Sequence, residues 1–193
     1  AIDSEFKANG KMYRIIDTAG MRKKGKIAET TERYSVARAL RAIDRAQIVL
    51  MVIDATAGVT EQDQRIAGYA HEAGKGMIVV INKWDLIKKN NNTMQEFDKK
   101  LREDFAFMSY MRVIYVSALS GQRVSKIIGL VDEGSEQHCR RIASTRLNEV
   151  ITEATLINPT PSDKGRKLKI FYATQVAVEP PTFVFFVNDP ELM

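Results

Sequence analysis

MIVVINKWD, residues 77–85, is a run of five apolar side chains followed directly by a polar segment. Four of the five apolar residues are β-branched, which predicts a strand over residues 77–81. A strand without polar alternation is typical of a parallel sheet covered on both faces. The polar residues that follow then lie at the carboxyl end of a strand, where open α/β sheets place their ligand crevice.

Strands and helices alternate on either side of this stretch. Apolar runs predict further strands over residues 47–54 and 113–116. Asn9-Gly10 predicts a two-residue hairpin between strands over residues 2–7 and 12–17. Apolar spacing and capping residues, including a capping box formed by Thr93 and Glu96, predict helices over residues 30–46, 60–73, 93–107 and 124–141. This rhythm indicates βαβ units and an α/β fold with a mainly parallel sheet.

Asp17-Thr18-Ala19-Gly20 comes directly after residues 12–16 of the second predicted hairpin strand. A carboxylate at this position can hold Mg²⁺, usually through a water molecule, and a glycine lets its backbone N–H approach a terminal phosphate. The same residues also suit a tight turn, because Asp and Gly tolerate turn backbone angles. The motif alone leaves both interpretations open.

Asn82-Lys83-Trp84-Asp85 is the more specific signal. A fixed carboxylate at Asp85 can accept two hydrogen bonds, from N1–H and from the exocyclic amine of guanine. Adenine lacks this donor pair and would leave the carboxylate unpaired, so an ATP-binding site is disfavoured. The stem of Lys83 can lie along the base, and Asn82 can brace the neighbouring loop.

Ser117-Ala118-Leu119 ends the strand predicted over residues 113–116 and can offer a backbone N–H to guanine O6. This third motif carries little information alone. Three motifs in this order, each at a strand end, indicate a nucleotide-binding site and correspond to the third, fourth and fifth sequence motifs of GTPases.

The resemblance extends over essentially the whole chain. Beyond the three motifs, the chain is similar to the Der family of bacterial GTPases, also called EngA, in residues 21–26, 34–36, 53–63, 172–176 and 180–183. It resembles the second of that family's two tandem GTPase domains, continuing into the C-terminal KH-like domain. The implied fold is a Ras-like α/β GTPase domain over residues 1–140 and a partial KH-like α/β domain over residues 141–193.

The resemblance implies a GTPase that assists assembly of the large ribosomal subunit, with GTP or GDP, Mg²⁺, ribosomal RNA and a preceding GTPase domain as partners. Asp17, Thr18, Ala19, Gly20 and Met21 would meet the γ-phosphate and Mg²⁺, with Asp17 reaching the ion through water. Guanine would be bound by the other two motifs, through Asn82, Lys83, Asp85, Ser117, Ala118 and Leu119.

Met21 occupies the position at which switch GTPases of the Ras type carry a glutamine that orients the attacking water. A thioether cannot orient water in this way. The resemblance implies that a potassium ion and backbone groups perform the task instead. No side chain of this chain is therefore assigned as a catalytic base.

A phosphate-binding loop with the pattern G-x-x-x-x-G-K-[ST] is absent from the sequence. That loop supplies a nest of N–H groups, a phosphate-binding lysine and a direct Mg²⁺ ligand. In the family it precedes the segment that Ala1 begins, so we expect the sequence to be a fragment. We also expect its strand and helix to be missing from the middle of the sheet, and the fragment to be inactive by itself.

The chain has 193 residues, a formal net charge of +5 and a single cysteine, Cys139. One cysteine allows no internal disulfide, which favours a reducing, cytoplasmic location, and no apolar run is long enough for a membrane span. The basic excess leaves an alternative open, in which the chain binds no nucleotide and contacts ribosomal RNA or a partner domain.

Overall fold

The computed structural model describes residues 3–16, 29–88, 90, 92–163 and 165–193, with the side chains of residues 29–36 excepted. The chain divides into two compact units, Ala1–Ser135 and Glu136–Met193. The elements in chain order are β1 (Asp3–Ala8), β2 (Lys11–Ile16), α1 (Glu29–Arg45), β3 (Ile48–Asp54), α2 (Glu61–Glu72), β4 (Gly76–Asn82), α3 (Thr93–Asp104), β5 (Arg112–Tyr115), α4 (Lys126–His138), α5 (Ser144–Ile157), β6 (Ser162–Asp163), β7 (Arg166–Lys167), β8 (Ile170–Val178) and β9 (Pro181–Val187).

A three-stranded parallel sheet in the order β3-β4-β5 forms the centre of the first unit. The predicted strand over residues 77–81 is confirmed as the buried part of β4. Its register aligns Ile48 with Gly76 and, at the other end, Asp54 with Asn82. The carboxyl ends of β3 and β4 therefore lie side by side.

Each face of this sheet has its own apolar core, because successive side chains of a strand point to opposite faces. Ile53, Val79 and Ile81 pack on one face with residues of α2 and α3, among them Ala67 and Leu101. On the other face Ile78, Val80, Ile114 and Val116 pack against Ile127, Leu130 and Val131 from the region of α4. Burial of each large apolar side chain contributes roughly 1.5–3 kcal/mol, so both faces hold the sheet rigid beneath the loops that follow its strands.

β1 and β2 pair antiparallel as a separate two-stranded sheet. Their turn is the predicted one, since Asn9 and Gly10 have φ of 47° and 76°, as this hairpin turn requires. The hairpin is held to α4 by Asp132, which accepts hydrogen bonds from Lys11 Nζ at 3.1 Å and Tyr13 Oη at 2.7 Å.

The outer edge of β3 is open in the part of the chain that the structure describes, since β3 pairs with β4 alone. Two of its apolar side chains are exposed, Leu50 by 42% and Val52 by 58%. On the hairpin, Met12 and Ile15 are exposed as well. In the described residues β2 and β3 therefore belong to separate sheets, and the expectation of a missing central strand stays a prediction.

The predicted start of α2 is correct, and that of α3 is partly wrong. Thr60 and Asp63 form the reciprocal capping box at the start of α2. The expected capping box of Thr93 with Glu96 does not form, because Thr93 is already the first residue of α3. Its hydroxyl instead accepts a hydrogen bond from Asn90 N at 2.8 Å and lies 2.8 Å from Asn90 Oδ1, so a polar turn competes for the side chain.

The second unit places α5 against the antiparallel pair β8–β9. Asn148 of α5 pairs with the backbone of Ala173, donating to its carbonyl and accepting from its N–H, both at 2.8 Å. Gln175 is buried and accepts from Ile142 N while donating to Arg140 O. Polar side chains thus satisfy the backbone where helix and sheet meet. Among the helices described in either unit, none has the length and apolar character needed to cross a membrane.

Candidate guanine-binding site

The segment after β4 is anchored by Trp84, which is buried. Its ring lies 4.5 Å from that of Tyr115 and 5.4 Å from that of Phe97, measured between centroids. Its backbone N–H donates to Val116 O at 3.0 Å. Because Trp84 points into the core, its neighbours Lys83 and Asp85 are directed to the exposed side of the segment.

Asn82 joins the segment after β4 to the one after β5. Its side-chain oxygen accepts hydrogen bonds from Lys83 N at 2.8 Å and from Ala118 N at 3.0 Å. Lys83 has a left-handed backbone, with φ of 62°, which is uncommon for a residue with a long side chain. The structure therefore brings Asn82, Lys83 and Ala118 together and fixes the path of the backbone between Asn82 and Asp85.

Ser117 and Leu119 point in different directions. Ser117 is fully buried; its Oγ accepts from Ser120 N at 3.2 Å and its N–H donates to Gln122 O at 3.2 Å. Its side chain thus shapes the turn and is not available to a ligand. Leu119 is 90% exposed, so it offers an apolar surface beside the segment that carries Asp85.

Asp54, at the end of β3, belongs to the same cluster although the motif analysis did not select it. Its Oδ2 lies 2.8 Å from Lys83 Nζ, and its Oδ1 accepts from Thr56 N at 2.9 Å and from Thr56 Oγ1 at 2.7 Å. The Lys83 ammonium and the Thr56 donors hold the pKa of the Asp54 carboxyl well below its usual range. The sequence shows only that Asp54 ends a neighbouring strand; the register that pairs Asp54 with Asn82 is what places its carboxylate beside Lys83.

Asp17, Thr18, Ala19, Gly20 and Met21 lie outside the described residues. The γ-phosphate and Mg²⁺ side of the predicted site, including the role of Asp17, therefore stays a prediction. The part that the structure assembles is the predicted base-binding side: a braced pair of loops with a carboxylate, a lysine stem and an apolar side chain on their exposed surface.

Comparisons with known proteins match both parts of the chain to described families. Residues 2–137 match the family described as "Elongation factor Tu GTP binding domain", and residues 141–193 match "KH-domain-like of EngA bacterial GTPase enzymes, C-terminal". The chain is 59% identical over all 193 residues to GTPase Der of Desulfitobacterium hafniense and 57% identical to GTPase Der of Staphylococcus carnosus. It spans 44% of the length of each relative.

Among solved structures, the chain is similar to Era in complex with MgGDPNP and nucleotides 1506–1542 of 16S ribosomal RNA. The TM-score is 0.56 at 22% identity, over 67% of this chain and 42% of that one. At this identity the likeness establishes the Ras-like GTPase fold. The matches along the sequence show that the chain belongs to the elongation factor Tu GTP-binding domain family and to the Der (EngA) GTPases, with a KH-like segment at its C-terminal end.

Proposed function

We propose that this chain reads guanine nucleotides and that the whole protein hydrolyses GTP to GDP and phosphate as a conformational switch. The observation that supports this function is the bracing of two loops by Asn82 at the carboxyl ends of neighbouring strands. Asp85 is exposed on one loop and Leu119 on the other. A carboxylate held there accepts both guanine donors, whereas adenine would leave it desolvated and unpaired.

The phosphate side of the reaction is assigned to Asp17, Thr18, Ala19, Gly20 and Met21, with a phosphate-binding loop supplied by the whole protein. Asp17 would hold a Mg²⁺-bound water, and the ion supplies charge neutralisation at the β- and γ-phosphates when bound. Met21 cannot orient the attacking water. Backbone groups and a potassium ion are the proposed replacement, so no side chain of this chain acts as the base.

The partners proposed for the whole protein are the large ribosomal subunit, ribosomal RNA and a preceding GTPase domain, with residues 1–140 and 141–193 as the two domains of this chain. Two observations support contact with RNA. The structurally similar Era was crystallised with a piece of ribosomal RNA, and α1 carries the exposed basic residues Arg38 and Arg41.

A binding experiment with a fluorescent GDP analogue and Mg²⁺ tests the function. It compares this chain with a version extended N-terminally through the phosphate-binding loop. We expect the extended protein to bind and the 193-residue chain not to bind. Binding by the short chain would mean that the Asn82–Asp85 segment suffices, and absence of binding by both would overturn the GTPase assignment.

A second candidate function is contact with ribosomal RNA or a partner domain without nucleotide. The net charge of +5 and the exposed arginines of α1 favour it. A salt titration of ribosomal RNA binding distinguishes it, because contacts to phosphates give a steep dependence of affinity on salt concentration. This alternative would be favoured if the 193-residue chain bound ribosomal RNA tightly, with a steep dependence on salt, and the extended protein bound no GDP.

A further inference from the structure

Asp54 and Lys83 form an ion pair across neighbouring strands at the edge of the candidate site. Asp54 is the register partner of Asn82, and the N–H of Ala55 donates to Asn82 O at 2.9 Å. Lys83, one residue beyond Asn82, therefore emerges beside the Asp54 carboxylate, with Nζ and Oδ2 separated by 2.8 Å. The side chain of Asp54 is 13% exposed and that of Lys83 is 53% exposed.

The carboxylate is itself held in place before it meets the lysine. Thr56 donates to Oδ1 through both its N–H and its hydroxyl, at 2.9 and 2.7 Å. The backbone closes a tight turn at the same point, since Ala57 N and Gly58 N both donate to Asp54 O. One oxygen is thus fixed by the turn, and the other faces the ammonium of Lys83.

Lys83 is constrained from both ends as a result. Its backbone is left-handed and its N–H is bonded to Asn82 Oδ1, while its ammonium is bonded to Asp54. A free lysine side chain must lose most of its rotamer freedom to lie along a flat ligand. In this arrangement that freedom is already reduced before a ligand arrives, which favours binding.

We infer that Asp54 is a positioning residue of the guanine-binding loop, which sets nucleotide affinity by holding Lys83 in the place where its stem lies along the base. This inference rests on the proposed function. Asp54 does not touch nucleotide in this scheme and acts through Lys83. Because half-exposed ion pairs add little to stability, the effect of Asp54 on affinity should exceed its effect on folding.

The test measures affinity for a fluorescent GDP analogue in the whole protein that carries this chain. Asp54→Asn keeps the shape of the side chain and an acceptor for Thr56 but removes the charge. We expect a loss of affinity of about fivefold to tenfold, within the usual range of coupling between contacting residues, with little change in unfolding temperature. Asp54→Glu, which restores the charge, should recover part of the loss. The matched control is Glu149→Gln, which breaks an exposed pair with Arg146 in the second unit and should leave affinity unchanged.

A double-mutant cycle shows whether Asp54 acts through Lys83. In a Lys83→Met background the stem remains but the ammonium is gone, so Asp54→Asn should change affinity by less than about twofold. An equal loss in both backgrounds would mean that Asp54 acts on the fold and would overturn the inference. Thr56→Val removes the hydroxyl that donates to the carboxylate and provides a second variant if Asp54→Asn misfolds. We expect it to lower GDP affinity about twofold when Lys83 is present and to have no effect in the Lys83→Met background.

The outcomes separate the inference from the function on which it rests. If the parent protein binds GDP and the Asp54→Asn variant binds it with the same affinity, the inference alone is overturned. A parent that binds no GDP overturns the proposed function and this inference with it.

Discussion

Asn82 Oδ1 accepts a hydrogen bond from the backbone N–H of Ala118 at 3.0 Å, although the two residues lie 36 positions apart in the sequence. The same oxygen accepts from Lys83 N at 2.8 Å. A single amide oxygen therefore links the loop that carries Asp85 to the loop that carries Leu119. Any ligand held by both loops depends on this spacing.

Asn82→Ala should loosen both loops, because it removes the two hydrogen bonds at once. We expect a loss of about 1–2 kcal/mol in the free energy of unfolding and a loss of about tenfold in GDP affinity. Urea unfolding and binding of a fluorescent GDP analogue measure the two effects in the N-terminally extended protein. Asn92→Ala is the control, since Asn92 precedes α3 and its side chain makes no capping hydrogen bond. Equal effects of the two changes would contradict the bracing role.

Asp85→Asn should shift preference from guanosine to xanthosine nucleotides, because the new amide can donate to the oxygen that replaces the exocyclic amine. We expect GDP affinity to fall by about a hundredfold or more while affinity for xanthosine diphosphate rises. Competition between the two nucleotides in the extended protein measures the shift. The control is Glu103→Gln, which changes an exposed carboxylate near the end of α3 and should cause no shift in nucleotide preference. A preference unchanged by Asp85→Asn would remove Asp85 from this role.

Because the pKa of Asp54 is lowered in the folded protein, part of the free energy of unfolding depends on pH in the acid range. The ionised form is favoured in the folded protein, so its contribution is present above the ordinary Asp pKa of about 3.9. It is lost as pH falls from there through the lower folded value. The difference in unfolding free energy between the parent and Asp54→Asn should therefore shrink below about pH 4. It should stay below about 1 kcal/mol at pH 7, because Lys83 is half exposed. A difference that grows on acidification would contradict the assignment.

The hairpin of β1 and β2 should open more often when Asp132 loses its charge. Asp132 accepts hydrogen bonds from Lys11, Tyr13 and Asn9 of the β1–β2 hairpin, whose sheet is separate from β3-β4-β5. Asp132→Asn should speed amide hydrogen exchange in residues 3–16 by about threefold to tenfold, with smaller changes in β4. Glu133→Gln, at the exposed neighbouring position, is the control. Uniform acceleration across the first unit would mean that Asp132 supports the whole fold instead.

The parallel strands and the hairpin turn could be predicted from the sequence because their signals are local. The apolar run in β4 and the Asn9-Gly10 turn need no knowledge of distant residues. The pairing of Asp54 with Lys83 could not be read in this way, since it depends on the register between β3 and β4.

Other contacts could not be predicted from the sequence for the same physical reason. Asp132 meets Tyr13 across 119 residues, and the buried amide of Gln175 meets the backbone of Arg140 across 35. At Thr93 the local signal itself was misleading, because Asn90 offers the hydroxyl a competing partner. Helix and strand types thus follow from short patterns, whereas the residues that fix the loops follow from the tertiary fold.

The open edge of β3 also affects how this length of chain behaves in a concentrated solution. An edge strand with exposed apolar side chains, here Leu50 and Val52, presents a row of backbone groups to which a strand of another molecule can add. Natural proteins cover such edges or place charges on them. Self-association through β3 would compete with folding at high concentration, so the sheet that carries the loops of the candidate site is also where aggregation would begin.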